Sequence, residues 1–248
     1  MPNPSGLSTY VVVPCYNEEH RLNTEYWNNL IGRLGYHWIF VNDGSTDQTR
    51  SKLEQLKNVK VLDLEKNVGK AEAIRAGITH AMQSEAKDDL VISYLDSDGA
   101  FGLEDVERIF KVFFSKLEKN EIEAVWASRV ALAGRDIFRS TTRHYLSRVI
   151  ISIIGALDRD IPYDPQTGFK IFYLSKKSST LFNEKFRTRW FFDIEIIRRW
   201  ERITGNKVKI WEEPVDYWSD VKGSKVNKFQ FFRIFSEVLY ILTISAKK

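Results

Sequence analysis

Short apolar runs recur along the chain, and each stops at a glycine or a polar cluster. Thr9-Tyr-Val-Val-Val-Pro14, Trp38-Ile-Phe-Val-Asn42, Val59-Lys-Val-Leu-Asp63, Leu90-Val-Ile-Ser-Tyr-Leu95 and Ala124-Val-Trp-Ala-Ser128 are rich in β-branched and aromatic residues. They are too short for helices and read as strands. Helices are predicted between them, over 18–32, 47–56, 71–83 and 103–117. Strand and helix alternate without hairpin signals. The alternation predicts an α/β fold of Rossmann-like type, with a mainly parallel central sheet and helices on both faces. The second half is less regular. It offers a helix over 140–157, a turn at Asp164-Pro-Gln-Thr-Gly168 and a strand over 169–173. A helix from Arg189 to 202, a strand over 207–213 and an aromatic-rich helix over 227–248 follow. No linker separates the halves. Residues 1–226 read as a single domain, and 227–248 as a C-terminal amphipathic helix.

In sheets of this kind ligands gather at the carboxyl ends of the strands. Each polar cluster falls at such an end: Asn17 and Glu18, Asp43, Asn67 and Lys70, Asp96 and Asp98, Ser128 and Arg129. Asp96 and Asp98 are one residue apart, and an extended chain turns such a pair to one side. Two carboxylates so placed repel unless a cation lies between them. Magnesium takes one or two carboxylates and completes its shell with water and substrate phosphates. The pair therefore reads as a metal–diphosphate site. The other reading is a solvated turn, because Asp-x-Asp-Gly is also turn chemistry.

Composition narrows the partners. With 248 residues, 43% of them hydrophobic, the chain is long enough for one large α/β domain. The net charge of +4 is too small to indicate nucleic acid, and favours phosphates or an acidic membrane surface. One cysteine, Cys15, excludes an internal disulfide and fits a reducing compartment. Four scattered histidines suggest no zinc site. The polar start, Met1 to Ser8, has no signal-peptide core, and no apolar run is long enough to span a bilayer.

The chain resembles the family-2 glycosyltransferases of the GT-A fold, and among them the polyprenyl-phosphate sugar transferases, dolichyl-phosphate β-glucosyltransferases in particular. The matching pieces run in order from residue 10 to about 226. They are Val13-Pro-Cys-Tyr-Asn-Glu-Glu19 with Arg21-Leu22, Asn42-Asp-Gly-Ser-Thr-Asp47, Asn67-Val-Gly-Lys70, Asp96-Ser-Asp-Gly-Ala100 and Ser128-Arg129. Arg139-Ser-Thr-Thr-Arg143, Asp164-Pro-Gln-Thr-Gly-Phe-Lys170, Arg189-Trp-Phe-Phe-Asp-Ile-Glu195, and Trp218 through Gly223-Ser-Lys225 complete the set. Each is weak alone, whereas the ordered set is specific. The resemblance implies a nucleotide-sugar donor, UDP-glucose or another UDP-hexose, with Mg²⁺ or Mn²⁺. It also implies inversion at the anomeric carbon and a polyprenyl-phosphate acceptor.

Carried over by position, Pro14, Tyr16, Glu18 and Asp43 hold the nucleoside; a carboxylate such as Asp43 suits a ring N–H. Lys70 and Lys225 meet the diphosphate, and Asp96 and Asp98 the metal. Mannosyl relatives often carry a glutamine two residues past the second aspartate. Here that place is Ala100, which leaves water to complete the shell. Arg129, Arg143 and Ser147 grip the acceptor phosphate, with Arg139 beside them. Arginine forks bind phosphate oxygens in pairs, and Arg143 and Ser147 share one helix face. Gln166 and Thr167 lie near donor sugar and acceptor. Asp193 and Glu195 stand where relatives with hydroxyl acceptors keep their general base. A phosphate acceptor is already an anion and needs positioning only, so Asp193 is expected to orient rather than to take a proton. For each of these residues the plain alternative is a helix start, a turn or a solvated surface charge.

Two apolar stretches bear on a lipid acceptor. One is 149–157, next to Arg143 and Ser147. The other is Lys228-Phe-Gln-Phe-Phe-Arg-Ile-Phe through Ile244, which suits a helix lying in a membrane interface or packed on protein. The expectation is a peripheral enzyme on the cytoplasmic face of a membrane, with a homo-oligomer left open. Rival readings are a family-2 transferase acting on a sugar hydroxyl with Asp193 as base, a nucleotidyltransferase, and a nucleotide-sugar-binding module without catalysis. The acidic loop after the first strand argues against the second, and intact Asp96, Asp98, Arg129 and Gln166 against the third.

Overall fold

The apolar runs fold as strands: β1 (Ser8–Cys15), β2 (His37–Asn42), β3 (Val59–Asp63), β4 (Leu90–Leu95) and β5 (Ala124–Ser128). Later come β6 (Asp136–Phe138), β7 (Phe169–Leu174), β8 (Ile210–Pro214) and β9 (Tyr217–Ser219). The helices are α1 (Thr24–Leu34), α2 (Thr49–Leu53), α3 (Lys70–Ser84), α4 (Leu103–Glu118), α5 (Lys176–Ser179), α6 (Phe192–Thr204) and α7 (Phe231–Ser245). The computed structural model describes residues 6–85, 89–138, 151–152, 154–155, 161–219 and 231–245.

Among the described residues seven strands form one sheet in the order β3-β2-β1-β4-β7-β5-β8. Every pairing is parallel except those of β7, which runs antiparallel to both β4 and β5. The expected mainly parallel sheet is therefore present. Periodicity cannot reveal the direction of β7, because a strand buried on both faces reads the same either way. The chain winds from β1 outward to β3, then restarts at β4 on the other side of β1. That reversal opens a crevice at the carboxyl ends of β1 and β4, where α/β sheets bind ligands.

Both sheet faces are covered. On one side Trp27 of α1 and Phe110 and Phe113 of α4 pack on Trp38, Phe40 and Phe169. Trp27 meets Trp38 and Phe40 edge to face, with centroids 5.8 and 5.1 Å apart. On the other side Ile74 and Ile78 of α3 and Ile196 and Trp200 of α6 pack on Ile92, Trp126 and Phe172. A third cluster joins Ile241 of α7 to Phe191, Ile194, Ile151 and Ile154. Part of α7 thus rests on protein, with the Trp190 N–H donating to the Glu237 carboxylate at 2.8 Å. Among the described residues no helix is long and apolar enough to cross a membrane.

Several boundaries differ from those expected. The first helix begins at Thr24 rather than near residue 18, capped by Asn23, whose side chain accepts from Tyr26 N–H. Residues 18–22 form a turn instead, with the Arg21 and Leu22 N–H groups on the Glu18 carbonyl. The helix after Asp47 stops at Leu53, and α6 starts at Phe192. The paired β6 and β9 are three residues each, too short to show a period.

Candidate active site at the carboxyl ends of the strands

The loops after β1 and β2 lock into one another. Asn17 N–H donates to Ser45 Oγ and Thr46 N–H returns to Asn17 Oδ1, at 3.0 and 2.8 Å. Glu19 N–H meets the Asp47 carboxylate, and Gln48 N–H meets that of Glu19. Glu18 is buried and paired with Arg21. Tyr16 lies half-buried on the same loop, and Pro14 half-buried at the end of β1.

Asp43, also buried, organises the next loop. Its carboxylate accepts from Val68 N–H at 2.7 Å, Gly69 N–H at 2.8 Å and the Asn67 amide at 3.0 Å. Burial raises its pKa, against the lowering pull of those N–H groups and of Arg189. Arg189 lies flat against Gly69, where a Cβ would collide with the guanidinium, and donates to Asn67 Oδ1 at 2.8 Å. Gly69 sits at φ 96°, a conformation other residues rarely adopt. This loop delivers Lys70, the first residue of α3, to the mouth of the crevice.

There Lys70 Nζ meets Asp96 Oδ1 at 2.5 Å, each side chain about a third exposed. Burial works against the Lys70 ammonium, but Asp96, Asp193 and Asp98 more than offset it, and its pKa is raised. The strand ends at Leu95, so alternation does not carry on to Asp98 as expected. A turn brings the two carboxylates together, with Asp98 Oδ1 accepting from Ala100 N–H at 3.2 Å. Burial and the like charge of Asp96 raise the Asp98 pKa, opposed by the Ala100 N–H, Arg21 and Lys70. Helix α1 holds the turn: Trp27 Nε1 donates to the Ser97 carbonyl at 3.1 Å and Tyr26 to that of Phe101 at 2.8 Å. No cluster of three or more metal-ligating side chains stands among the described residues. Asp96 and Asp98 nevertheless fit a hard cation, since their mutual repulsion is the strain a divalent ion relieves. The rest of its shell has to come from water and ligand.

The turn before β7 closes the site. Asp96 N–H donates to the Gly168 carbonyl at 2.9 Å, and a Cβ on Gly168 would stand inside the Asp96 carboxylate. Gln166 is half-buried, whereas Thr167 is buried with its hydroxyl lacking a partner among the described residues. Beneath the turn lies Lys170, fully buried, whose Nζ donates to the Thr167 carbonyl at 2.6 Å and pairs with Asp193 Oδ1 at 2.9 Å. The same Asp193 oxygen accepts from the Tyr94 hydroxyl. Burial lowers the Lys170 pKa against the pull of Asp193. Burial, together with Asp193, pushes the Tyr94 phenol well up, so it keeps its proton. Asp193 is thus committed on one oxygen to two donors. Glu195 is wholly structural: it accepts from Arg187 N–H, from Thr188 N–H and hydroxyl, and from Arg199.

Arg129 is also engaged. Its Nε and Nη2 fork onto the two oxygens of Asp164, both at 2.8 Å, and its plane lies 5.0 Å from the Trp218 ring. It ties the end of β5 to the turn. Arg139, Arg143, Ser147 and Lys225 lie outside the described residues. The structure thus brings Lys70, Asp96, Asp98, the 166–168 turn and Asp193 together, and holds Glu18 and Asp43 in the loops alongside. It adds Arg21, Arg189, Lys170 and Tyr94. The last two stand inside apolar strands, where a lysine and a tyrosine give no distinct signal in the sequence.

The mainly parallel sheet with an acidic turn at its switch point is an α/β architecture that binds ligands at this end, and comparison with known proteins supplies the class. The family described as Glycosyl transferase family 2 matches residues 10–187, and the chain belongs to it. Human dolichyl-phosphate beta-glucosyltransferase is 32% identical over 250 residues, covering 93% of this chain and 74% of the relative. The Dictyostelium discoideum protein of the same name is 29% identical over 238 residues, 88% and 68% of the two chains. Among solved structures, glucosyl-3-phosphoglycerate synthase of Mycobacterium tuberculosis, crystallised with Mn²⁺, UDP-glucose and phosphoglyceric acid, superposes with a TM-score of 0.68. It covers 98% of this chain and 81% of its own at 17% identity, which establishes the shared fold.

Proposed function

We propose that this chain is an inverting transferase that moves glucose from UDP-glucose to a polyprenyl phosphate such as dolichyl phosphate. The names of its relatives support the sugar and the lipid. The observation that carries the anionic acceptor is the state of Asp193, the one carboxylate that stood as a candidate base. Its Oδ1 is held by Lys170 and Tyr94, which fixes the carboxylate in place and ties its charge to a buried ammonium, an arrangement that suits orienting a ligand. A phosphate oxygen attacks without losing a proton. It forms the new bond to the anomeric carbon as the bond to the diphosphate breaks on the opposite face, and UDP departs.

The chain's own residues supply position and charge. Pro14 at the end of β1 and the interlocked loops bearing Tyr16, Glu18 and Asp43 form the nucleoside end. Lys70, aided by Lys225, faces the diphosphate. Asp96 and Asp98 would hold Mg²⁺ or Mn²⁺, which when bound offsets charge on the departing UDP. Gln166 and Asp193 orient sugar and acceptor. Arg129 shares its charge between Asp164 and the acceptor phosphate, with Arg143 and Ser147 completing the grip. A lipid acceptor places the enzyme at a membrane surface, on the cytoplasmic side.

The test is UDP release by the purified chain with Mg²⁺ or Mn²⁺, across UDP- and GDP-sugars, with and without a polyprenyl phosphate. Release should require UDP-glucose and the lipid phosphate together, stop on chelation, and vanish in Asp98→Ala. Equal release with a hydroxyl acceptor and no lipid phosphate would return Asp193 to the role of base and defeat this reading.

A further inference from the structure

Beyond Arg129 the chain leaves β5 through Val130-Ala-Leu-Ala-Gly134, a stretch without one polar side chain. Ala131 through Gly134 are all exposed, and Leu132 is 48% exposed. The stretch is a tight turn, with Leu132 N–H on the Val130 carbonyl and Arg135 N–H on that of Leu132. It leads into β6, which pairs in parallel with β9 as Asp136 with Tyr217, Ile137 with Trp218 and Phe138 with Ser219. The inner positions, Ile137 and Trp218, pack on the core, and Trp218 bridges to Phe101 beyond the acidic turn. The outer positions carry Phe138, 60% exposed, and Tyr217, 48% exposed, with rings 6.2 Å apart; Asp136, also exposed, is the one charge on this face and stands at its edge next to the turn.

Exposed apolar residues scattered singly need no account, but an uncharged exposed run beside an exposed aromatic pair does. Both belong to one small unit that follows the carboxyl ends of β5 and β8, the end where Asp96 and Asp98 lie. We infer that this unit, the 130–134 turn with the outer face of β6 and β9, is the surface by which the protein docks on a lipid bilayer. The inference deepens the lipid-acceptor reading above and rests on it for the choice of partner. Three features select a bilayer. A phenylalanine and a tyrosine, the latter with a polar tip, suit the boundary between headgroups and acyl chains. In sequence Phe138 is followed at once by Arg139, a cation that favours anionic headgroups. And Arg129, a residue proposed to hold the acceptor phosphate, immediately precedes the apolar turn. Docking there sets the site's phosphate grip at headgroup depth.

The test uses the full chain with vesicles of phosphatidylcholine and phosphatidylserine, read by co-flotation. A second readout is UDP release with a short, water-soluble prenyl phosphate. Leu132→Asp should lower vesicle partition about tenfold, the worth of one leucine side chain removed from an apolar phase. Phe138→Ser, tested independently, should act in the same direction. Neither should alter turnover of the short acceptor or the melting temperature. Unchanged flotation in both variants, or no flotation of the unsubstituted chain, overturns the inference. So does loss of short-acceptor turnover with flotation retained, which would assign the surface to the acceptor itself. A dimer that both variants dissociate, with no vesicle binding, would give the face to a second copy. Flotation lost in the variants while no lipid phosphate is ever glucosylated would keep the docking surface and remove the acceptor reading.

Discussion

Asp193 shows how much a single residue is defined by what holds it. Its partner Lys170 is fully buried between the Tyr94 and Trp126 rings, 5.2 and 4.6 Å from their centroids. Removing one member of a buried pair strands the other, at a cost of about 3–5 kcal/mol. Asp193→Asn should therefore lower the denaturant midpoint markedly. The double change Lys170→Met with Asp193→Asn should recover part of that loss, a non-additivity that a double-mutant cycle would read directly. An additive result would show that the pair is not coupled. Gly168 gives a sharper prediction. Gly168→Ala puts a methyl into the Asp96 carboxylate, so kcat/KM should fall about a hundredfold, the scale of a displaced catalytic group, while far-ultraviolet circular dichroism stays unchanged. At this scale Asp96, Asp98 and Lys70 were legible in the sequence, since charged residues at strand ends stand out. Lys170 and Tyr94 were not, because they are polar residues inside Phe169-Lys-Ile-Phe-Tyr173 and Leu90-Val-Ile-Ser-Tyr-Leu95, runs whose apolar character hides them. The engagement of Arg129 by Asp164 was equally hidden, since thirty-five residues separate the partners.

Among the elements, α1 works on the site without entering it. Its Trp27 indole and Tyr26 hydroxyl hold the Ser97 and Phe101 carbonyls on either side of Asp98. Trp27→Phe keeps a ring in the core but deletes the indole donor, a net loss of about 1 kcal/mol for one hydrogen bond. The concentration of Mn²⁺ needed for half-maximal UDP release should rise. If only the melting temperature moves, the turn holds its shape without the helix. The strands β4 and β5 were legible to the residue because each is a dense apolar run bounded by polar groups, and β3 because its valines alternate with Lys60. The start of α1 was not. Glu18 and Glu19 look like a helix start, but they are spent on Arg21, Asp47 and Gln48, and these long-range partners leave Asn23 to begin the helix. For β6 and β9 no local signal exists, since two three-residue strands depend wholly on each other.

For the whole molecule, the site is a meeting of six separate chain segments, so filling it should tie them together. Mn²⁺ with UDP at a hundred times the dissociation constant should stabilise the protein by about 2.7 kcal/mol. Differential scanning fluorimetry should show the shift in the unsubstituted chain and not in Asp96→Ala; an equal shift in both would place the ligand elsewhere. The fold class was open to reading from the alternation of strand and helix. The antiparallel course of β7 was not, and it carries a consequence for how the chain is made. Strand β5 has no partner on its inner side until β7 slides in between it and β4. A nascent chain that has emerged only as far as Ser128 therefore leaves β4 with an open edge and β5 without a partner on either side, with some forty residues still to emerge before Phe169. Such edges recruit other chains. Nascent chains exposed as far as Ser128 should be the stage most dependent on chaperones, and the stage at which the acidic turn still lacks the glycine wall that shapes it.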